Sequence, residues 1–229
     1  MSESNINLFY NHGFCLVKKK YFLENEIIEI KKEINKTLNS LSTEKKIDIS
    51  STAMGGRSVL IKRVTEHNEF IFEKINDLVQ NKEIKFFLEK ILGSNYKISE
   101  IIYRHSELGD TGLGIHQDAD EEHTLVINLD DTKLIDGSTI FLKKSHNFYY
   151  SIDNFFSRNS ISEKISNKLI FLFNWFRGNS GDIGFFNNKV WHGRARNKKK
   201  NISASIMVGF YPSGSTVKFA EDHPYFSQN

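Results

Sequence analysis

Through the first part of the chain, apolar positions recur with the period of a helix. Ile27, Ile30, Ile34, Leu38 and Leu41 fall three or four apart, which predicts a helix with Asn25 as its N-cap and Glu26 in its first turn. Ahead of it, Phe14-Cys15-Leu16-Val17 is a short apolar run that reads as a strand, followed by basic Lys18-Lys19-Lys20. Two more helices are predicted over Glu69–Val79 and Asn81–Leu92; the second buries Ile84, Phe87, Leu88 and Ile91 and stops at Gly93. Between the first helix and these, Ser50–Arg63 contains Gly55-Gly56-Arg57 and reads as a loop leading into a short strand.

From Lys97 the period shortens to that of strands. Runs rich in β-formers lie at Ile98–His105, Thr124–Leu129, Ser138–Leu142, Asp182–Phe186, Val190–His192 and Ile202–Tyr211. Gly109-Asp110, Asp130-Asp131, Asp136-Gly137, Gly181-Asp182 and Asn187-Asn188 separate them as turns. Many short strands with such turns predict a sandwich or jelly roll. Tyr149–Asn179, rich in Phe and carrying Trp175, breaks this rhythm and reads as an insertion with a helix near Ser162–Phe176. The expected organisation is one domain over residues 1–229. Residues 1–96 form a largely helical flank, and 97–229 form a barrel core interrupted near 149–180.

Composition narrows the setting. Hydrophobic residues make up 39% and charged residues 26%, ordinary proportions for a globular chain rather than a disordered one. No stretch approaches the roughly 20 apolar residues of a membrane helix, and polar Met1–Asn7 carries no secretory pattern. Cys15, the single cysteine, excludes an internal disulfide or a multi-thiolate metal site and reads as core. The expectation is a cytoplasmic protein without a membrane partner. A net charge of +3 is too mild for nucleic acid, and Lys198-Lys199-Lys200 reads as a solvated turn.

The sharpest chemical signal is Gly114-Ile115-His116-Gln117-Asp118. In an extended chain, residues two apart share a side, so His116 and Asp118 converge while Gln117 faces away. An imidazole and a carboxylate at that spacing supply adjacent corners of an octahedron; a second histidine completes a facial triad with three positions left open. His192, in Val190-Trp191-His192-Gly193, is the best partner, 74 residues after Asp118. Open positions make such a metal catalytic rather than structural. His105, His123, His146 and His223 read as surface or hydrogen-bonded residues.

Five segments in order resemble the phytanoyl-CoA dioxygenase-like branch of the iron(II)- and 2-oxoglutarate-dependent oxygenases. Asn11-His12-Gly13-Phe14-Cys15-Leu16-Val17 with the Glu24–Leu41 helix is similar to the family's opening strand and helix, and Phe87–Gly93 to its helix before the core. His116-Gln117-Asp118 is similar to the first two ligands, Asp136–His146 to a glycine-strand segment, and Gly181–Asn197 to the distal-histidine segment. The resemblance implies a mainly β chain with flanking helices around a double-stranded β-helix (jelly-roll, cupin-like) core. It implies Fe(II), 2-oxoglutarate as co-substrate, dioxygen, and hydroxylation of an unactivated C–H bond. The carboxylate at Asp118 favours hydroxylation over halogenation, for which related enzymes carry a small residue there.

One part of the family pattern is missing. An arginine about eleven residues after the distal histidine normally clamps the distal carboxylate of 2-oxoglutarate as a bidentate pair. Here Ser203 takes that position, with Ser205 two residues on. Arg104, on the same strand face as Ile102, is the favoured replacement; Arg196, Lys200 and Lys143 are the others. Asn128 and Gln117 are further candidates for the co-substrate or the pocket wall, and Arg57 and Arg63 for an anionic substrate. Phe155, Phe156, Phe171 and Trp175 read as a lid, a dimer face or core. The substrate is expected to be a small metabolite: a free amino acid, a lipid-like acid or a natural-product intermediate. The competing readings are a cupin-like metal-binding or isomerase module without 2-oxoglutarate turnover, and a nucleic-acid or partner-binding module using Arg194–Lys200.

Overall fold

The computed structural model describes residues 1–43, 49–51, 58–118, 121–147 and 173–215. It opens with a helix that the polar N-terminus conceals. α1 (Glu3–His12) buries Phe9 and ends at Gly13, whose φ of 81° lies in the left-handed region. A Cβ at Gly13 would stand 2.1 Å from the Val190 side chain, so the turn into β1 (Phe14–Val17) needs glycine. α2 spans Glu24–Thr43. Asn25 therefore lies within its first turn and is not the cap. The Leu23 N–H instead donates to the Glu26 carboxylate at 2.9 Å, the return half of a capping box.

β2 (Ile49–Ser51) and β3 (Ser58–Ile61) pair antiparallel and bring the chain to α3 (Glu69–Gln80) and α4 (Lys82–Leu92). Both helices begin where an asparagine can accept from a free N–H: Asn68 from Ile71 at 3.1 Å and Asn81 from Glu83 at 3.1 Å. Ile84, Phe87 and Leu88 are buried as expected, Ile91 partly so. Phe87 joins the helices to the sheet, its ring 5.7 Å from Phe9 and 4.6 Å from Phe185.

Among the described residues, the strands form two antiparallel sheets, the larger of which also takes in β1, β2 and β3. The larger has the order β1-β9-β6-β11-β4-β3-β2, with β4 at Lys97–Glu107, β6 at His123–Asn128, β9 at Ile183–Asn187 and β11 at Ile202–Tyr211. The smaller has the order β5-β10-β7-β8, with β5 at Leu113–His116, β7 at Thr139–Phe141, β8 at Asn174–Trp175 and β10 at His192–Arg194. Two expectations need correction. The run at Val190–His192 is not the strand: the Val190 N–H closes a turn onto the Asn187 carbonyl, and β10 starts at His192. The helix expected to reach Phe176 gives way to β8, where Trp175 lies opposite Ile140 and packs with Ile115 and Ala195. Residues 149–172 of that insertion, with Phe155, Phe156 and Phe171, lie outside the described residues, as do Arg57 and His223.

Alternation in β4 positions the site. Ile101 and Tyr103 turn into the helix-covered core, while Glu100, Ile102 and Arg104 turn the other way, into a cavity of about 420 Å3 between the sheets. Among the described residues, no helix is long and apolar enough to cross a membrane.

Candidate active site

β5 and β10 are neighbours in the smaller sheet, and their register sets His116 opposite His192. The rings face one another at 4.4 Å between centroids. Asp118 follows β5 by two residues, and its N–H donates to the Asn188 carbonyl at 3.0 Å, which fixes the loop against the turn before β10. Asp118 Oδ1 lies 3.4 Å from His116 Nε2, and Oδ2 lies 3.1 Å from His192 Nε2. One ligand atom from each residue falls within 4.8 Å of the others.

The outer nitrogens set the tautomers. His116 Nδ1 lies 2.8 Å from the Gly114 carbonyl, and His192 Nδ1 lies 2.8 Å from the Val190 carbonyl. A carbonyl only accepts, so each Nδ1 carries a proton, and Nε2 is the atom that each ring turns toward Asp118. That is the arrangement in which histidines ligate a metal, held by backbone rather than by side chains. Burial opposes ionisation of Asp118, but the two imidazoles within hydrogen-bonding reach outweigh it and hold the carboxyl well below the usual range. Burial lowers the pKa of His192; at His116 the same burial is overcome by Asp118, and the pKa rises. The donor set of two neutral imidazoles and one carboxylate fits a divalent metal with open positions.

Arg104 opens onto the same cavity. Among the described residues no hydrogen bond or ion pair engages its guanidinium. Burial and the neighbouring Arg194 push its pKa down to about 9, against the attraction of Asp110. The side chain is half-buried and borders the cavity, so its guanidinium can meet an anion that enters there. Beside it, Asn128, Ser203 and Ser205 border a narrow recess that Arg104 and Thr139 share with the main cavity. Ser205 is the direct cross-strand partner of Arg104, so the guanidinium rises from the strand next to the serine pair.

The other candidates separate. Gln117 lines neither space; its side-chain amide donates to the Lys189 carbonyl. Lys143 is exposed, Lys200 donates to the Asp131 carbonyl, and Arg196 borders a different surface recess. Arg63 is half exposed and lies 3.6 Å from Glu66, away from the cavity. His105 bonds the Tyr103 hydroxyl at 2.9 Å, His123 the Glu121 carbonyl at 3.0 Å and His146 the Tyr10 carbonyl at 3.1 Å; none joins the triad.

Several wall residues escaped the sequence reading. Glu100, Glu122, Thr124, Phe186, Asn188 and Met207 all face the cavity. For Glu100 the signal was available, because it shares the strand face of Ile102 and Arg104. Arg194, two residues beyond His192, was also missed as a structural residue. It is buried with Asp110, its Nη2 2.9 and 3.0 Å from the two carboxylate oxygens and 2.6 Å from the Ser58 hydroxyl.

No family model matches the chain, and no curated protein matches it. Solved structures do share its fold. HygX from Streptomyces hygroscopicus, with nickel and 2-oxoglutarate bound, is 13% identical with a TM-score of 0.69, over 94% of this chain and 89% of HygX. The non-heme alpha-ketoglutarate-dependent carbocyclase SnoK from nogalamycin biosynthesis is 13% identical with a TM-score of 0.71, over 93% of this chain and 85% of SnoK. The epimerase SnoN, in complex with Fe3+, alpha-ketoglutarate and nogalamycin RO, is 13% identical with a TM-score of 0.71, over 99% of this chain and 91% of SnoN. The chain thus has the fold of these structures, and its own residues bring two histidines and an aspartate together inside it.

Proposed function

We propose that this chain is an iron(II)- and 2-oxoglutarate-dependent oxygenase with a double-stranded β-helix core, hydroxylating an unactivated C–H bond of a small molecule. The observation that carries the reading is the pairing, in one cavity, of the His116–Asp118–His192 triad with the unpartnered guanidinium of Arg104. A metal alone explains the triad. A metal with a dicarboxylate co-substrate explains both.

In this reading His116 and His192 give Nε2, and Asp118 gives a carboxylate oxygen, to Fe(II). Arg104 binds the distal carboxylate of 2-oxoglutarate as a charge-assisted pair, replacing the arginine absent at Ser203. Ser203, Ser205 and Asn128 add hydroxyl and amide groups in the adjoining recess. Ile102, Phe186 and Met207 give the wall an apolar stretch that excludes water around the open metal positions. When bound, the metal and co-substrate supply the oxidising equivalent that takes hydrogen from the substrate. The folds shared with a carbocyclase and an epimerase support this enzyme type and leave its outcome to the substrate's placement. The rival cupin-like reading would explain the missing arginine; in the present reading Arg104 supplies that charge instead.

The test is anaerobic addition of Fe(II) and 2-oxoglutarate with a visible spectrum. A bidentate co-substrate on a facial-triad iron gives a weak metal-to-ligand charge-transfer band. Wild type is expected to show it and His116→Ala to lose it. Iron binding by wild type without a band would remove 2-oxoglutarate from the assignment.

A further inference from the structure

The cavity has two oppositely charged ends on one strand. Arg104, Ile102 and Glu100 follow at two-residue steps along the cavity face of β4, so cation, apolar patch and carboxylate succeed one another over about 13 Å. Glu122 lies at the Glu100 end. Its carboxylate accepts from the Ser99 hydroxyl at 2.6 Å and from the Asn188 amide at 2.9 Å. Gly209 makes room for it on β11: a Cβ there would fall 2.1 Å from Ser99 Oγ and 2.4 Å from Glu122 Oε1. Among the described residues no lysine, arginine or histidine forms an ion pair with Glu100 or Glu122. Burial, with the negative charge of Asp118 and Glu100 nearby, raises the pKa of Glu122.

These carboxylates do not define a site by themselves. They form part of the wall of a cavity that the His116–Asp118–His192 triad and Arg104, without a hydrogen bond or ion pair among the described residues, already mark as ligand-binding. Once the co-substrate neutralises Arg104, the remaining fixed charge at the other end is negative. We propose that the substrate carries a protonated amine, held by Glu100 with Glu122 beside it. The apolar stretch between the charged ends would then take the carbon skeleton that is presented to the metal. This inference rests on the oxygenase reading for its use of the cavity, but the charge of the ligand is read from Glu100 and Glu122 alone.

The test is calorimetric titration of the full chain with matched probes: tyramine against N-acetyltyramine, and glucosamine against N-acetylglucosamine. At least one amine is expected to bind more tightly than its acetylated partner, and Glu100→Gln to weaken that amine about tenfold to a hundredfold, the worth of a charge-assisted hydrogen bond. Glu122→Gln, measured alongside, should weaken it in the same sense. Equal binding of amine and amide, no binding by either amine, or affinity unchanged in Glu100→Gln would each overturn the proposal. A missing charge-transfer band would instead count against the oxygenase reading, and the amine titration would stand apart from it.

Discussion

Arg104 is half-buried at the cavity wall, with Arg194 repelling it and Asp110 attracting it, and neither bonds to it. If it serves the co-substrate, Arg104→Gln should weaken 2-oxoglutarate about tenfold to a hundredfold, read by titrating the charge-transfer band. The same substitution should leave the melting temperature of the co-substrate-free protein unchanged or raise it, because a half-buried charge without an ion pair is removed. A fall in stability with unchanged 2-oxoglutarate affinity would mark Arg104 as a structural residue. At this scale much of the site was legible. His116 and Asp118 converge because an extended chain sends alternate side chains to one side, and Arg104 followed from its two-residue step to Ile102. Gln117 obeyed the same rule and faces away. The Arg194–Asp110 pair was not legible, since it joins residues 84 apart and depends on a strand pairing that no local pattern specifies.

At the scale of elements, Asp110 works as a junction. It accepts from the Ser58 hydroxyl on β3, from the Gly112 N–H at 2.6 Å in the turn before β5, and from Arg194 on β10. One carboxylate thereby ties the larger sheet to both strands that carry the histidine ligands. Asp110→Asn leaves Arg194 charged and buried without its counter-ion, and is expected to cost about 3–5 kcal/mol. Chemical denaturation would measure it; a loss below about 1 kcal/mol would show that the junction carries little load. Helix α4 was readable because Ile84, Phe87, Leu88 and Ile91 recur at helical spacing and Gly93 marks its end; the caps Asn68 and Asn81 went unread. α1 was hidden by its polar surface, with Phe9 as its buried anchor. β8 was hidden because a two-residue strand has no period; its place comes from Ile140 across the ladder.

For the whole molecule, acid stability turns in part on His123. Burial, with its ring stacked 5.7 Å from Phe9, pushes its pKa down from 6.5 to about 4. Between those values the unfolded chain binds the proton and the folded chain does not, so stability rises with pH. The contribution is complete above about pH 6.5, declines as pH falls, and is gone below about pH 4. Melting temperature against pH should therefore show an acid slope in this window, shallower in His123→Gln; an identical slope in both proteins would exclude this origin. The succession of helices then strands was readable across the molecule. The division of the described strands into sheets of seven and four was not, because partner choice is set by tertiary packing rather than by period.

All three proposed ligands sit on β5, the loop after it and β10, neighbours within the smaller sheet. A metal there fastens two adjacent strands and leaves the union of the sheets to apolar packing and Asp110. Architecture and cargo are thus separable. The two-sheet fold is then expected to form without the ion and to outlast its removal, so chelation should empty the site without collapsing the protein.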